Sequence, residues 1–174
     1  QAKKASRIAA EGLVLSAAYG NVGVVVEINC ETDFVANSDI FKELVGKVAK
    51  VIADQNPADV DALLACSDNG VTVADMIQEV FLAVRENIKV RRFERYEGVV
   101  STYVHAGGKI GVMVKFDTVA GDNDTFKEMA KDVAMQIAAV NPQYLSKESV
   151  PADVVEHEKN ILVAQMKEDP KMAN

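Results

Sequence analysis

Ile28-Asn29-Cys30-Glu31-Thr32-Asp33-Phe34-Val35-Ala36-Asn37 joins two runs of unlike period. Upstream, Val22 to Ile28 is β-branched and apolar, as a half-buried or fully buried strand should be. Downstream, Ser38 sits just before Phe41, Leu44, Val45, Val48 and Ile52, the i, i+3, i+4 spacing of a helix with one apolar face. The join is a polar corner with one large aromatic, Phe34, beside one carboxylate, Asp33. An aromatic at such a corner is either folded into its own core or offered to a partner. The neighbouring helices have complete apolar faces without Phe34, so the core does not obviously need that ring.

Working outward toward the N-terminus, Glu11 to Ala18 reads as a strand and Tyr19-Gly20-Asn21 as a short turn, because Gly and Asn tolerate positive φ. With Val22 to Asn29 this predicts a β-hairpin. Residues 1–10 are basic and helix-prone, and read as a linker or a helix end. Toward the C-terminus, the helix from Ser38 to Asp54 stops at Gln55-Asn56-Pro57, since the residue before Pro avoids helical geometry. Pro57 to Leu64 predicts a short helix with Pro at its first position, and Cys66 to Gly70 a loop. Thr72 with Asp75 forms an acidic capping box ahead of a packing stripe of Val73, Met76, Ile77, Val80, Phe81 and Val84.

From Ile88 the period becomes two, with Ile88, Val90, Arg92 and Glu94 on one face and Lys89, Arg91, Phe93 and Arg95 on the other. Gly98 breaks that strand. Val99 to His105, a turn at His105 to Gly108, and a buried strand at Ile110 to Phe116 predict a second hairpin. Asp122-Asn123-Asp124 caps a helix that carries Phe126, Met129, Ala130, Val133, Ala134 and Ile137 and ends at Asn141-Pro142. A last, more polar helix runs from Pro151 to about Met166. The expected class is α+β, an antiparallel sheet packed against helices. Residues 11–147 form the core, and residues 148–174 a C-terminal helix and tail.

The chain has 174 residues, 49% hydrophobic and 26% charged, enough for one folded domain with a sizeable core. No apolar run approaches the roughly 18 residues of a membrane helix. A net charge of −7 argues against a broad nucleic-acid surface, which needs clustered Lys and Arg. Two Cys and two His give neither a zinc pattern nor a disulfide framework, and fit a reducing, cytoplasmic compartment. The chain opens at Gln1 without an initiating Met, so a piece of a longer protein is expected.

Gly107-Gly108-Lys109 lacks the rest of a phosphate loop, and Asp122-Asn123-Asp124 lacks the Gly and terminal Glu of a calcium loop. His157-Glu158 starts like a zinc-protease helix, but position 161 is Ile. Cys30 and His105 could form a nucleophile and base. Cys30 ends an apolar strand, however, where a free Cys is usually a small buried hydrophobe. Lys89-Val90-Arg91-Arg92 with Arg95 is either a strand face partnered by Glu94 and Glu97, or a contact for an acidic partner. No catalytic residue, cofactor or metal ligand is assigned.

The segment GNVGVVVEINCETDFVAN (residues 20–37) resembles the signature of the translation elongation factor Ts family. ENIKVRR (86–92), YVHAGGKIGVMV (103–114) and KDVAMQIAAVNPQYL (131–145) resemble further segments of that family, in the same order. The resemblance implies a guanine-nucleotide exchange factor for elongation factor Tu, with no covalent mechanism and no direct contact with nucleic acid or membrane. It implies that the Asp33-Phe34 corner inserts near the switch and magnesium region of the partner. Phe34 would fill an apolar pocket, and Asp33 would bond at its rim or at the start of a partner helix. Thr32, Val35, Val84, Arg85 and His105 are implied as further partner-binding residues, with Arg85 standing where the family has a small residue. Family members carry an N-terminal ubiquitin-associated-type domain and continue past the last helix into a coiled-coil protrusion and a second core half. This chain would therefore be mostly the first core subdomain. The alternative is a binding or assembly module without exchange activity in this shortened form, and self-association stays open.

Overall fold

Strand β1 (Glu11–Tyr19) turns at Gly20-Asn21 into β2 (Val22–Cys30), pairing antiparallel from Glu11↔Cys30 to Tyr19↔Val22. In the computed structural model, residues 9–168 are described, so residues 1–8 of the expected linker lie outside them. The one-turn helix α1 (Asp33–Ala36) follows, then α2 (Asp39–Gln55), capped by the Ser38 hydroxyl and closed by Asn56 at φ 48°. A left-handed closing residue is a normal helix stop, and Pro57 then bars continuation.

The next helix, α3 (Val60–Ala65), starts three residues later than the sequence predicts. Asp59 is its cap, accepting from the Ala62 N–H at 2.8 Å, and a carboxylate cap outweighs the preference for Pro at the first position. The expected loop at 66–70 contains a two-residue strand β3 (Ser67–Asp68), paired with β4 (Val71–Thr72). Helix α4 (Val73–Val84) is capped by Thr72, whose hydroxyl accepts from the Asp75 N–H and donates to its carboxylate.

Strand β5 (Lys89–Glu97) joins the far side of β2 to give the order β1-β2-β5. The expected alternation fails here. Ile28 pairs with Val90 and Glu27 with Arg92, so Arg91 is an extra, bulged residue. The bulge resets the pleat and puts Val90, Phe93 and Arg95 on the face that carries Ile28, Val26 and Val24.

That face packs on α2, with α3 against β5 and α4 against α2 and α3. Val24, Val26, Ile28, Phe41, Val45, Val48, Ile52, Leu63 and Val73 are fully buried together. The opposite face of β1-β2 receives β6 (Val99–His105) and β7 (Ile110–Phe116). Glycine lets the two sheets approach closely. A Cβ on Gly111 would sit 2.4 Å from Val14 Cγ1, and one on Gly23 would sit 2.7 Å from Met113 Sδ. The Ser16 hydroxyl, buried between the sheets, donates to the Val112 carbonyl at 2.8 Å. The strand at 110–116 is less buried than the sequence suggests, with Val112 its buried hydrophobic.

Helix α5 (Asp124–Val140) covers the outer side of β6–β7, with Phe126 edge-on to Phe116 at 5.2 Å. Its cap is Asn123, which accepts from the Phe126 N–H. The chain divides into two compact units after Val140. The second contains a 3-10 turn (Lys147–Ser149) and α6 (Ala152–Glu168), whose Leu162, Val163 and Met166 are exposed. No helix among the described residues is long and apolar enough to cross a membrane.

Candidate functional site

A helix of one turn is not stable by itself, because nucleation fixes several residues for a single hydrogen bond. Helix α1 is therefore only as ordered as its anchors. Thr32 caps it, accepting from the Val35 N–H at 3.4 Å. Val35 and Ala36 turn inward, Ala36 buried and Val35 packed against the core. Asp33 and Phe34 turn outward, and the Phe34 ring is 85% exposed. Exposure on this scale means that little protein surface holds the ring; its place is set by the backbone beneath it.

A second segment is stitched to this corner. Arg85, at φ 62°, closes α4 and is exposed, while Val84 packs against the core. The next residue, Glu86, folds its carboxylate onto the corner. Oε2 accepts from the backbone N–H of Glu31 at 3.1 Å and of Thr32 at 3.0 Å, and Oε1 accepts from the Thr32 hydroxyl at 2.6 Å. In return Glu31 Oε1 accepts from the Asn87 N–H at 2.9 Å.

The turn between β6 and β7 forms the third segment. The Gly108 carbonyl accepts from the Val14 N–H at 2.7 Å, and a Cβ on Gly108 would stand 2.7 Å from Leu13 Cδ1. With φ at +96° as well, only glycine suits this position. Lys109 pairs with Glu11 at 2.8 Å, and Glu11 is the strand partner of Cys30. The hydrogen bond and charge of Glu11, with a smaller contribution from Asp33, hold the Lys109 ammonium above its usual range. The hairpin turn and the corner thus share one end of the β1-β2 pair. His105 stands exposed at the base of the turn, with the Tyr103 hydroxyl 2.9 Å from its Nδ1.

Thr32, Asp33, Phe34 and Val35 therefore lie on one turn. Val84 and Arg85 are tied to it through Glu86, and the His105 hairpin is tied to the same end through Gly108 and Lys109. The Glu86 clamp, the Glu11–Lys109 pair and Tyr103 carry no signal in the sequence. The partners of Glu86 and of Lys109 lie many positions away, and no periodicity marks a carboxylate that will fold back on a distant backbone; Tyr103 is two residues from His105, but its hydroxyl contact has no sequence signature.

The Cys30–His105 hydrolase is not supported. Cys30 is fully buried and its thiol donates to the Thr32 carbonyl at 3.2 Å. Burial, helped by the negative charge of Glu86, pushes that thiol up to about 11. The thiolate is the nucleophile, so Cys30 is inert near neutral pH. Iodoacetamide at pH 8 should label the half-buried Cys66 and spare Cys30 until urea unfolds the chain. Labelling of Cys30 ahead of Cys66 in the folded chain would contradict this.

The arginines of the basic run on β5 are paired within the fold. Its partner is Glu27 on β2, bound by Arg91 at 2.9 Å and Arg92 at 2.8 Å, rather than the expected Glu94. Arg95 bonds Glu97 and the Ala53 carbonyl. Burial works to raise the Glu27 carboxyl, but bonds from Arg92, Arg91 and Asn29 together hold it below the usual range.

The family described as Elongation factor TS matches residues 31–174. The chain is 45% identical over 175 residues to Elongation factor Ts of Syntrophotalea carbinolica, covering 98% of this chain and 58% of the relative. It is 46% identical over 173 residues to Elongation factor Ts of Herminiimonas arsenicoxydans, covering 98% of this chain and 57% of the relative. It is 47% identical over 173 residues to Elongation factor Ts of Cupriavidus necator, covering 98% of this chain and 56% of the relative. The chain therefore spans less than two thirds of the length of these curated relatives.

Proposed function

The chain belongs to the elongation factor Ts family, and from that premise we propose that it binds elongation factor Tu and speeds the release of GDP from it. The observation that carries this reading is the exposed Phe34 ring on an anchored corner. An aromatic that is desolvated only on binding, and presented by a fixed backbone, has the character of an interface anchor. Phe34 enters an apolar pocket of the partner beside its switch and magnesium region. Asp33, exposed next to it, accepts hydrogen bonds at the pocket rim or from the N–H groups that begin a partner helix. Thr32 and Val35 hold the turn beneath them. Val84, Arg85 and His105 extend the contact on either side.

The mechanism is non-covalent. Insertion distorts the site that grips the nucleotide, so GDP leaves faster. Linkage then requires GDP to weaken the binding of this chain by the same factor by which the chain weakens GDP. No bond is made or broken, and the nucleotide equilibrium of the partner alone is unchanged. Such a role places the chain in protein synthesis and in the cytoplasm. Residues 11–147 serve as the core subdomain and residues 148–174 as a helical extension.

A second reading is binding without exchange, since an exposed aromatic corner supports contact with a partner and does not by itself require nucleotide release. One experiment separates the two. Elongation factor Tu loaded with a fluorescent GDP analogue is chased with excess GDP, with and without the chain, while calorimetry records binding. Faster release in proportion to added chain is the expected result. Binding without faster release selects the second reading, and neither effect removes both.

A further inference from the structure

The structure assigns Glu86 as the positioning residue that holds the Phe34 corner in its presented form, a role that rests on the exchange reading for its consequence but not for its geometry. Helix α1 has one turn, and Phe34 is 85% exposed. Neither helix length nor ring packing can fix the ring. Beneath the ring, Val35 and Ala36 pack inward, and the residues leading into the turn are held by hydrogen bonds, of which Glu86 accepts three: two from the backbone N–H groups of Glu31 and Thr32 and one from the Thr32 hydroxyl.

The Thr32 hydroxyl is the hinge of the arrangement. It has one proton and two lone pairs. Its proton goes to Glu86 Oε1 at 2.6 Å, which turns a lone pair toward the Val35 N–H at 3.4 Å. Glu86 thus sets the rotor of the residue that caps α1. It also accepts the Thr32 N–H itself, so both hydrogen-bond donors of the cap residue end on one carboxylate. The return bond from Asn87 N–H to Glu31 Oε1 at 2.9 Å makes the tie reciprocal. Because Glu86 follows Arg85 directly, the same clamp fixes the spacing between the Phe34 corner and the end of α4. Three hydrogen bonds converging on one carboxylate make a polar tie between the corner and the segment after α4, beside the apolar anchoring of Val35 and Ala36.

Glu86 acts through Phe34 and not on the partner, and that distinction is testable. In the full chain, Glu86→Ala should raise amide hydrogen exchange at Thr32 to Ala36 roughly tenfold or more, as loss of charge-assisted bonds allows, while amides in the middle of α2 stay protected. Glu86→Gln keeps one carbonyl acceptor for the two backbone N–H groups and should restore part of that protection. In the fluorescent GDP assay, Glu86→Ala should slow release about tenfold in the Phe34 background. It should have little further effect in a Phe34→Ala background. An equal loss in both backgrounds would mean that Glu86 works independently of the ring, and would overturn the assignment. Unchanged amide exchange at Thr32 to Ala36 would overturn it too. If the unsubstituted chain accelerates no release, the exchange reading fails, and the amide measurements still decide whether Glu86 holds the corner. Loss of α2 protection in Glu86→Ala alone would identify global unfolding; Glu86→Gln then decides by the same readouts.

Discussion

Phe34→Ala should slow the maximal chain-stimulated release of GDP by about thirtyfold or more, the effect of removing an anchor worth at least about 2 kcal/mol. The same substitution should leave the urea midpoint of the chain unchanged. The first half rests on the anchor role proposed for Phe34; the second follows from one number, since the residue is 85% exposed and its truncation opens no cavity in the core. Phe34→Leu should recover part of the rate, because it keeps apolar bulk without the planar edge. A release rate that survives Phe34→Ala intact would remove the ring from the mechanism and leave Asp33, Arg85 or His105 to account for it.

Seven positions later the same residue type has the opposite consequence. Phe41 is fully buried in the core cluster where α2 meets the sheet. Phe41→Ala should cost about 3–5 kcal/mol of folding stability, since the surrounding strands cannot collapse into the space. Against a typical total of about 5–15 kcal/mol, that is enough to unfold a measurable fraction near body temperature. Chemical denaturation followed by far-ultraviolet circular dichroism reads it directly. A loss under about 1 kcal/mol would mean that α2 can shift to refill the site, against what the full burial of this cluster leads one to expect.

The contrast shows what was legible in the sequence. Phe41 belongs to a helical repeat with Leu44, Val45, Val48 and Ile52, and the repeat alone places it inside. Phe34 falls between the strand period and the helix period, and its surplus to both faces already marked it. Both hairpins, α2, α4 and α5 were readable for the same reason, because their periods run long enough to be counted. What stayed hidden was whatever depends on a distant partner. The bulge at Arg91 is invisible until β2 supplies a register, so the two faces of β5 were misassigned. The start of α3 was missed for a different, local reason, because Asp59 and not Pro57 sets it. Glu86 could be seen as part of a familiar segment, but not as the carboxylate that takes up Thr32. The resemblance named a partner; it did not reveal how the corner is held.

Strand β5 forms one edge of its sheet, where unpaired N–H and C=O groups could template another chain. Its sequence and its bulge both work against that. Arg91 and Arg92 reach back to Glu27, and the extra residue interrupts the regular spacing that an incoming strand would need. Protection of this edge from strand addition is thus expected from the same pair of arginines that the sequence offers as a docking patch. Swapping them for Val and Thr would leave the fold its third strand but give it an adhesive border.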